Sequence, residues 1–157
     1  NYLIPSPKVA TYDLTPAMSV REVTKQTIKC IEKDYDFILV NFANPDMLGH
    51  TGNIEATKEG LEIVDECLGN IITAVDDNFY KLIVTADHGN CDEMLGSNGE
   101  VITTHSTNPV PFIIRDTHVN LKHKGDLTQI APTILKYMDI AIPKDMQESS
   151  TLFVEED

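Results

Sequence analysis

Five side chains in this 157-residue sequence could do chemistry together: Asp46 and His50 in NPDMLGHTGN, Asp87 and His88 in VTADHGN, and His105 in THSTNP. Imidazole and carboxylate in one site suit borderline to hard dications such as Mn²⁺, Zn²⁺ or Mg²⁺. No thiolate cluster competes with them, because Cys30, Cys67 and Cys91 are widely spaced and form no CxxC pair. Asp46 and His50 are four apart, so one turn of helix or a tight loop aims both at one ion. Asp87 and His88 are neighbours, and in an extended strand they would point to opposite faces. For both to serve one site the chain must leave the strand there. Gly89 and Asn90 supply a permissive backbone directly afterwards.

Each residue also has a mundane role open to it. Asp46 could cap the turn after Pro45, His50 could be a loop histidine beside Gly49, and Asp87 could bond the amides of the following turn. His88 and His105 could be exposed imidazoles. What favours ligation is the company these residues keep in the fold.

The elements that must position them follow from periodicity. MSVREVTKQTIKCIEKD (18–34) reads as a helix, with Ser19 and Glu22 at capping-box spacing and Val20, Val23, Ile28 and Ile31 as an inward stripe. FILVNF (37–42), KLIVTA (81–86) and VPFIIR (110–115) are short apolar runs suited to buried strands. Leu61, Val64, Leu68, Ile71, Ile72 and Val75 mark a long helix between the first two. The stretch between the second and third runs has no helical period, and SNG (97–99) predicts a hairpin turn inside it. DLTQIAPTILKYM (126–138) predicts a last helix whose regular part begins nearer Thr128, because Pro132 belongs near its first turn. This order predicts an α/β chain, layered α/β/α with a mostly parallel sheet. Ligands collect beyond the carboxyl ends of the strands in such sheets, and the five residues follow the expected strands or precede the third.

Composition narrows the partners. The formal net charge is −13, with two arginines, Arg21 and Arg115. An acidic surface repels phosphate backbones and anionic lipid heads, so neither nucleic acid nor a membrane is an expected partner. No segment has the length of a membrane span or the pattern of a signal peptide, and the unpaired cysteines suggest a reducing, cytoplasmic location. The chain opens at Asn1 in NYLIPSP, which suggests a piece of something longer.

Counting ligands points the same way. Five side chains suffice for one ion but not for two filled sites. No Ser, Thr or Cys stands in an activated arrangement; Ser106 and Thr107 are expected to cap the NPVP turn. The arginine clamps that phosphorylated substrates usually need are also absent.

IPSPKVATYDLTPAMS, NFANPDMLGHTGN, VDECLG, TADHGN and HSTNPVP together resemble the C-terminal part of cofactor-independent phosphoglycerate mutases, members of the alkaline phosphatase-like superfamily. The resemblance runs from Ile4 to the final helix and keeps the family's motif order. It implies that residues 1–157 are the C-terminal portion of an alkaline phosphatase-like metal-binding domain. The intact enzyme would interconvert 3-phosphoglycerate and 2-phosphoglycerate in glycolysis through a phosphoserine, without 2,3-bisphosphoglycerate. Two divalent ions are implied, Mn²⁺ foremost, with Mg²⁺, Co²⁺ or Zn²⁺ as alternatives. On the matching motifs, Asp46, His50 and His105 would hold one ion, while Asp87 and His88 would hold the other. The second ion's remaining ligands in the family are an aspartate and the nucleophilic serine, and neither motif is present here. The family's substrate clamp and a lysine before IPSPKVATYD are missing too. One local departure is GEVITTH, which carries Ile102 where relatives often have a first histidine.

The expectation is therefore an intact parent that is monomeric and acts on phosphoglycerate, and an isolated chain that is inactive and prone to self-association through exposed apolar faces. Another phosphohydrolase or phosphopentose mutase of the superfamily is the nearest alternative, and a non-catalytic metal-binding module the next. Metal affinity should fall on acidification through roughly pH 6–7, because neutral imidazole is the binding form.

Overall fold

A computed structural model describes residues 1–146 and 151–154 of the chain. It contains helices α1 (Val20–Ile31), α2 (Asn44–Gly49) and α3 (Ile54–Asp77), strands β1 (Ile83–Thr85) and β2 (Phe112–Ile114), and helix α4 (Ile130–Tyr137). The chain divides into two compact units, Asn1–Ile113 and Ile114–Asp157.

In the first unit α3 is the spine, and both α1 and α2 pack on it. Ile31, Ile71 and Val75 form the buried cluster, flanked by Ile28, Ile38, Phe42, Ala74, Tyr80 and Leu82. The face of α3 that turns inward carries Ala56, Thr57, Gly60, Cys67, Ile71 and Val75. Leu61 of the expected stripe points outward instead. The reason is Gly60, where an added Cβ would lie 2.1 Å from Leu48 Cδ1. Two helices this close need a position without a side chain, so the glycine takes the inward place.

Helix α3 starts at a conventional cap, with the Asn53 side chain accepting a hydrogen bond from the Ala56 amide. Helix α1 does not. Ser19 has φ −111° and ψ 17°, which is not the extended geometry of a capping residue, and it makes no side-chain cap. Its hydroxyl donates instead to the Pro5 carbonyl at 2.7 Å, so the expected pairing with Glu22 gives way to a strap over the N-terminal segment.

Two of the three expected strands form and pair with each other. The run 37–42 does not join a ladder. Ile38 and Phe42 pack toward α1 and α3, whereas Phe37 is 53% exposed and Leu39 84% exposed. A strand exists only through its partners, and among the described residues none forms a ladder with this run. The sheet of the described residues is therefore two-stranded, and an α/β/α layering is not displayed by them.

Between β1 and β2 the backbone is held by antiparallel bridges, Gly89 with Ser106 and Leu95 with Val101. The hairpin turn expected at SNG closes here, with the Gly96 amide donating to the Glu100 carbonyl at 2.8 Å and Gly99 at φ +81°. No helix among the described residues is long and apolar enough to cross a membrane.

In the second unit Asp126 forms a capping box with Gln129, a 3₁₀ turn covers Leu127–Gln129, and α4 follows with Pro132 in its first turn. Thr133, fully buried, accepts from the Leu152 amide at 2.7 Å and donates to the Gln129 carbonyl at 2.6 Å. Leu121 and Phe153 form an antiparallel bridge.

Candidate metal centre

Of the two forms open to NPDMLGH, a turn of helix or a tight loop, the chain takes the helix, α2, with Pro45 in its first turn. That single turn places Asp46 and His50 on one face, and the segment ahead of β2 brings in His105. His50 Nε2 lies 3.2 Å from Asp46 Oδ1, His105 Nε2 lies 3.2 Å from the same oxygen, and the two nitrogens are 3.2 Å apart. A dication about 2.1 Å from each donor would set neighbouring donors about 3.0 to 3.4 Å apart, between octahedral and tetrahedral limits. The triangle fits that spacing on all three edges.

Protonation fits as well. His50 Nδ1 stands 2.7 Å from the Thr103 carbonyl, which can only accept, so in the neutral ring Nδ1 carries the proton and the Nε2 lone pair is left for the centre. A cation satisfies all three donor atoms at once. All three side chains are partly open to solvent, which leaves room for further donors on one side.

The second candidate pair stands beside the first. Strand β1 ends at Thr85, so the chain has left the strand before Asp87, as the two ligands require. The His88 ring stacks on the His105 ring, and its Nε2 is 3.6 Å from Asp87 Oδ2. Asp87 itself projects into solvent, its side chain 87% exposed. Asp46, His50 and His105 are the one group of three or more metal-type donors that converges among the described residues. Asp87 and His88 have no third donor there.

Gly89 and Asn90 serve a different purpose from the expected backbone freedom, since neither has a positive φ. Gly89 is needed for space: a Cβ there would meet Ser106 Oγ at 2.2 Å and Asp92 Oδ1 at 2.7 Å. Asn90 is buried, and its Nδ2 donates to Asp46 Oδ1 at 2.7 Å. Ser106 does not simply cap its turn, because its hydroxyl donates to Asp92 Oδ2 at 2.8 Å, next to the Asn108 amide at 2.7 Å. These two donors hold the Asp92 carboxyl below the usual carboxylate range, Asn108 contributing more than Ser106. The network fixes the segment that carries His105 against the one that carries His88. Asn90, Gly49 and the Thr103 carbonyl were not legible as site components, and only the burial of a polar Asn beside two ligands could have signalled the first.

Among the described residues, no side chain near the centre is poised as a nucleophile in its own right. Cys91 is half-buried, and burial, followed by the nearby Asp92 carboxylate, pushes its thiol up. A raised thiol is a poor attacking group at neutral pH. Cys30 and Cys67 are buried packing residues, as their helical settings suggest.

A family model described as the metalloenzyme superfamily matches residues 1–142. The chain is 48% identical over 155 residues to a 2,3-bisphosphoglycerate-independent phosphoglycerate mutase of Antithamnion sp., covering 96% of this chain and 30% of that one. It is 50% identical over 153 residues to the enzyme of the same name from Clostridium novyi, covering 94% and 30% respectively. A crystal structure of Leishmania mexicana phosphoglycerate mutase, determined at low cobalt concentration, superposes with a TM-score of 0.86 at 32% identity, covering 98% of this chain and 31% of that one. The chain thus spans about 30% of the length of the curated relatives it matches.

Proposed function

The chain belongs to the metalloenzyme superfamily, and from that premise we propose that it is the ion-holding part of a 2,3-bisphosphoglycerate-independent phosphoglycerate mutase. The observation that carries the proposal is the triangle of Asp46 Oδ1, His50 Nε2 and His105 Nε2, equal-edged at 3.2 Å, within motifs shared with mutases.

These three residues hold one divalent ion, and Asp87 and His88 supply two ligands of a second. The remaining ligands, an aspartate and a nucleophilic serine, come from polypeptide outside these 157 residues, as does the substrate clamp. The whole domain is then alkaline phosphatase-like, α/β/α with a mostly parallel sheet to which β1 and β2 contribute. Its reaction is the interconversion of 3-phosphoglycerate and 2-phosphoglycerate in glycolysis, in the cytoplasm and by a monomer, with Mn²⁺ as the expected ion.

Bound ions would lower the pKa of a nucleophilic hydroxyl and neutralise charge on transferring phosphoryl oxygens. This chain's own contribution is orientation. The Thr103 carbonyl fixes the His50 tautomer, Asn90 fixes the Asp46 carboxylate, and the Asp92 network fixes the segment carrying His105.

The test is equilibrium titration of the chain with Mn²⁺ or Co²⁺, alongside His50→Ala and His105→Ala. Loss of affinity in both variants is expected, and wild-type affinity in both would overturn the site. In a coupled mutase assay the 157-residue chain alone should show no turnover. Normal turnover would overturn the placement of the nucleophile outside it.

A further inference from the structure

We infer that Asn90 is a positioning residue whose buried amide locks the Asp46 carboxylate in its ion-facing orientation and ties the Asp87–His88 segment to α2. The inference rests on the reading of Asp46 as a ligand.

One amide nitrogen makes both contacts. Asn90 Nδ2 donates to Asp46 Oδ1 at 2.7 Å and to the Asp46 main-chain carbonyl at 3.3 Å. Bracketing the side chain and backbone of one residue restricts the rotation of its carboxylate. The same carbonyl accepts the His50 amide at 3.0 Å, so the bracket also bears on the helical turn that spaces the two ligands. Because Asn90 follows His88 by two positions, its hydrogen bonds join the segment of the second candidate pair to the helix of the first.

The other half of the amide argues that this is more than packing. Asn90 is 5% exposed, and its Oδ1 has no hydrogen-bond partner. An unpaired buried carbonyl destabilises a fold and offsets part of what the two donated bonds contribute, so an apolar side chain of the same shape would serve packing alone. Reversing the amide offers no escape, since it would set an oxygen against Asp46 Oδ1 and the Asp46 carbonyl. The surroundings are fitted to the amide: a Cβ on Gly49 would lie 2.1 Å from Asn90 Oδ1 and 2.8 Å from its Cγ. Gly49 is the last residue of α2 and has no positive φ, so its backbone conformation does not itself call for glycine. Here the missing side chain makes room for Asn90.

The experiment is a Co²⁺ titration of the chain followed by its visible absorption, which reports ligand number and geometry, together with unfolding midpoints measured without metal. Asn90→Leu keeps the shape and removes the amide. It should bind Co²⁺ about 10- to 100-fold more weakly, with an altered spectrum, while its metal-free midpoint stays close to that of the wild type. Gly49→Ala, which favours helix but displaces Asn90, should alter the spectrum in the same way. Combining the two should add little beyond either alone. Wild-type affinity and spectrum in Asn90→Leu, or in Gly49→Ala should the leucine variant not fold, would overturn the inference. A midpoint that falls in step with affinity would also overturn it, by making Asn90 structural. If His105→Ala binds Co²⁺ as tightly as the wild-type chain does, the ligand reading fails and this inference with it.

Discussion

The imidazole of His88 stacks on that of His105 with ring centroids 3.7 Å apart and planes inclined by 17°. His105 is thereby held between two neighbours, since the His50 ring lies 5.0 Å away on a tilted approach. The stack makes the two candidate ligand sets physically adjacent, so a residue assigned to one set bears on the other.

Replacing His88 should therefore weaken binding at a triangle it does not belong to. An aromatic pair contributes about 0.5–1.5 kcal/mol, so His88→Ala should weaken Co²⁺ affinity at the Asp46–His50–His105 centre by about 2- to 10-fold. The loss should stay smaller than that of His105→Ala. Calorimetric titration measures both, and an unchanged affinity would show that the stack does not hold His105.

Metal should stabilise the folded chain by mass action. Free Co²⁺ at about 100 times its dissociation constant should add about 2.7 kcal/mol, read as a higher melting temperature that a chelator reverses. The same addition should leave His105→Ala unmoved.

The helix carrying Asp46 and His50 is seated on Gly60, where a Cβ would meet Leu48 Cδ1 at 2.1 Å and the Pro16 carbonyl at 3.1 Å. Alanine favours the helix by about 1 kcal/mol, but overpacking a fully buried leucine costs about 1–3 kcal/mol. Gly60→Ala should lower both stability and Co²⁺ affinity. Gly69→Ala, in the same helix with nothing within 4 Å of its Cβ, should raise stability and leave affinity alone. Chemical denaturation of the pair separates packing from propensity.

The Asp92 carboxyl is held below its ordinary range by Asn108 and then Ser106. A depressed carboxylate stabilises the fold above its unfolded value, about 4, and loses that contribution as pH falls through its folded value. Asp92→Asn should therefore melt below the wild type at neutral pH, and the gap should narrow as pH falls below the unfolded value of about 4. A gap that does not change with pH would assign Asp92 a role independent of its charge.

In the second unit the Tyr137 hydroxyl donates to Asp116 Oδ2 at 2.6 Å. Burial first, and then this carboxylate, pushes the phenol well above its usual value. A raised phenol contributes fully below its unfolded value of about 10 and loses that contribution as pH rises beyond it. Tyr137→Phe should cost about 1 kcal/mol at neutral pH, the low end for a bond to a charged group at a partly solvated site. The difference from wild type should shrink in alkali, and thermal melts at both pH values test it.

Local patterns were the most legible part of the molecule. The periodic stretches over 18–34 and 61–75 became α1 and part of α3, and SNG became the turn between Leu95 and Val101. Contacts at long range were not legible. Whether 37–42 forms a ladder depends on partners elsewhere, and the inward place of Gly60 over Leu61 depends on how closely α2 approaches. At the centre, residue types and strand ends picked out Asp46, His50, Asp87, His88 and His105. Dividing them into three and two needed the family's motifs, and the structure converges the three. Asn90 escaped notice because turn chemistry explains an Asn after Gly well enough, and only burial shows that its amide is engaged.

His50 and His105 meet across 55 positions of sequence. Cross-linking a loop of that length removes freedom from the unfolded chain worth about 4 kcal/mol. An ion shared by these two rings would act as a removable rivet, closing that loop in the folded chain where a cystine would close it permanently, and needing no oxidant. Chelators and acid would release it, and thiol reductants would leave it closed.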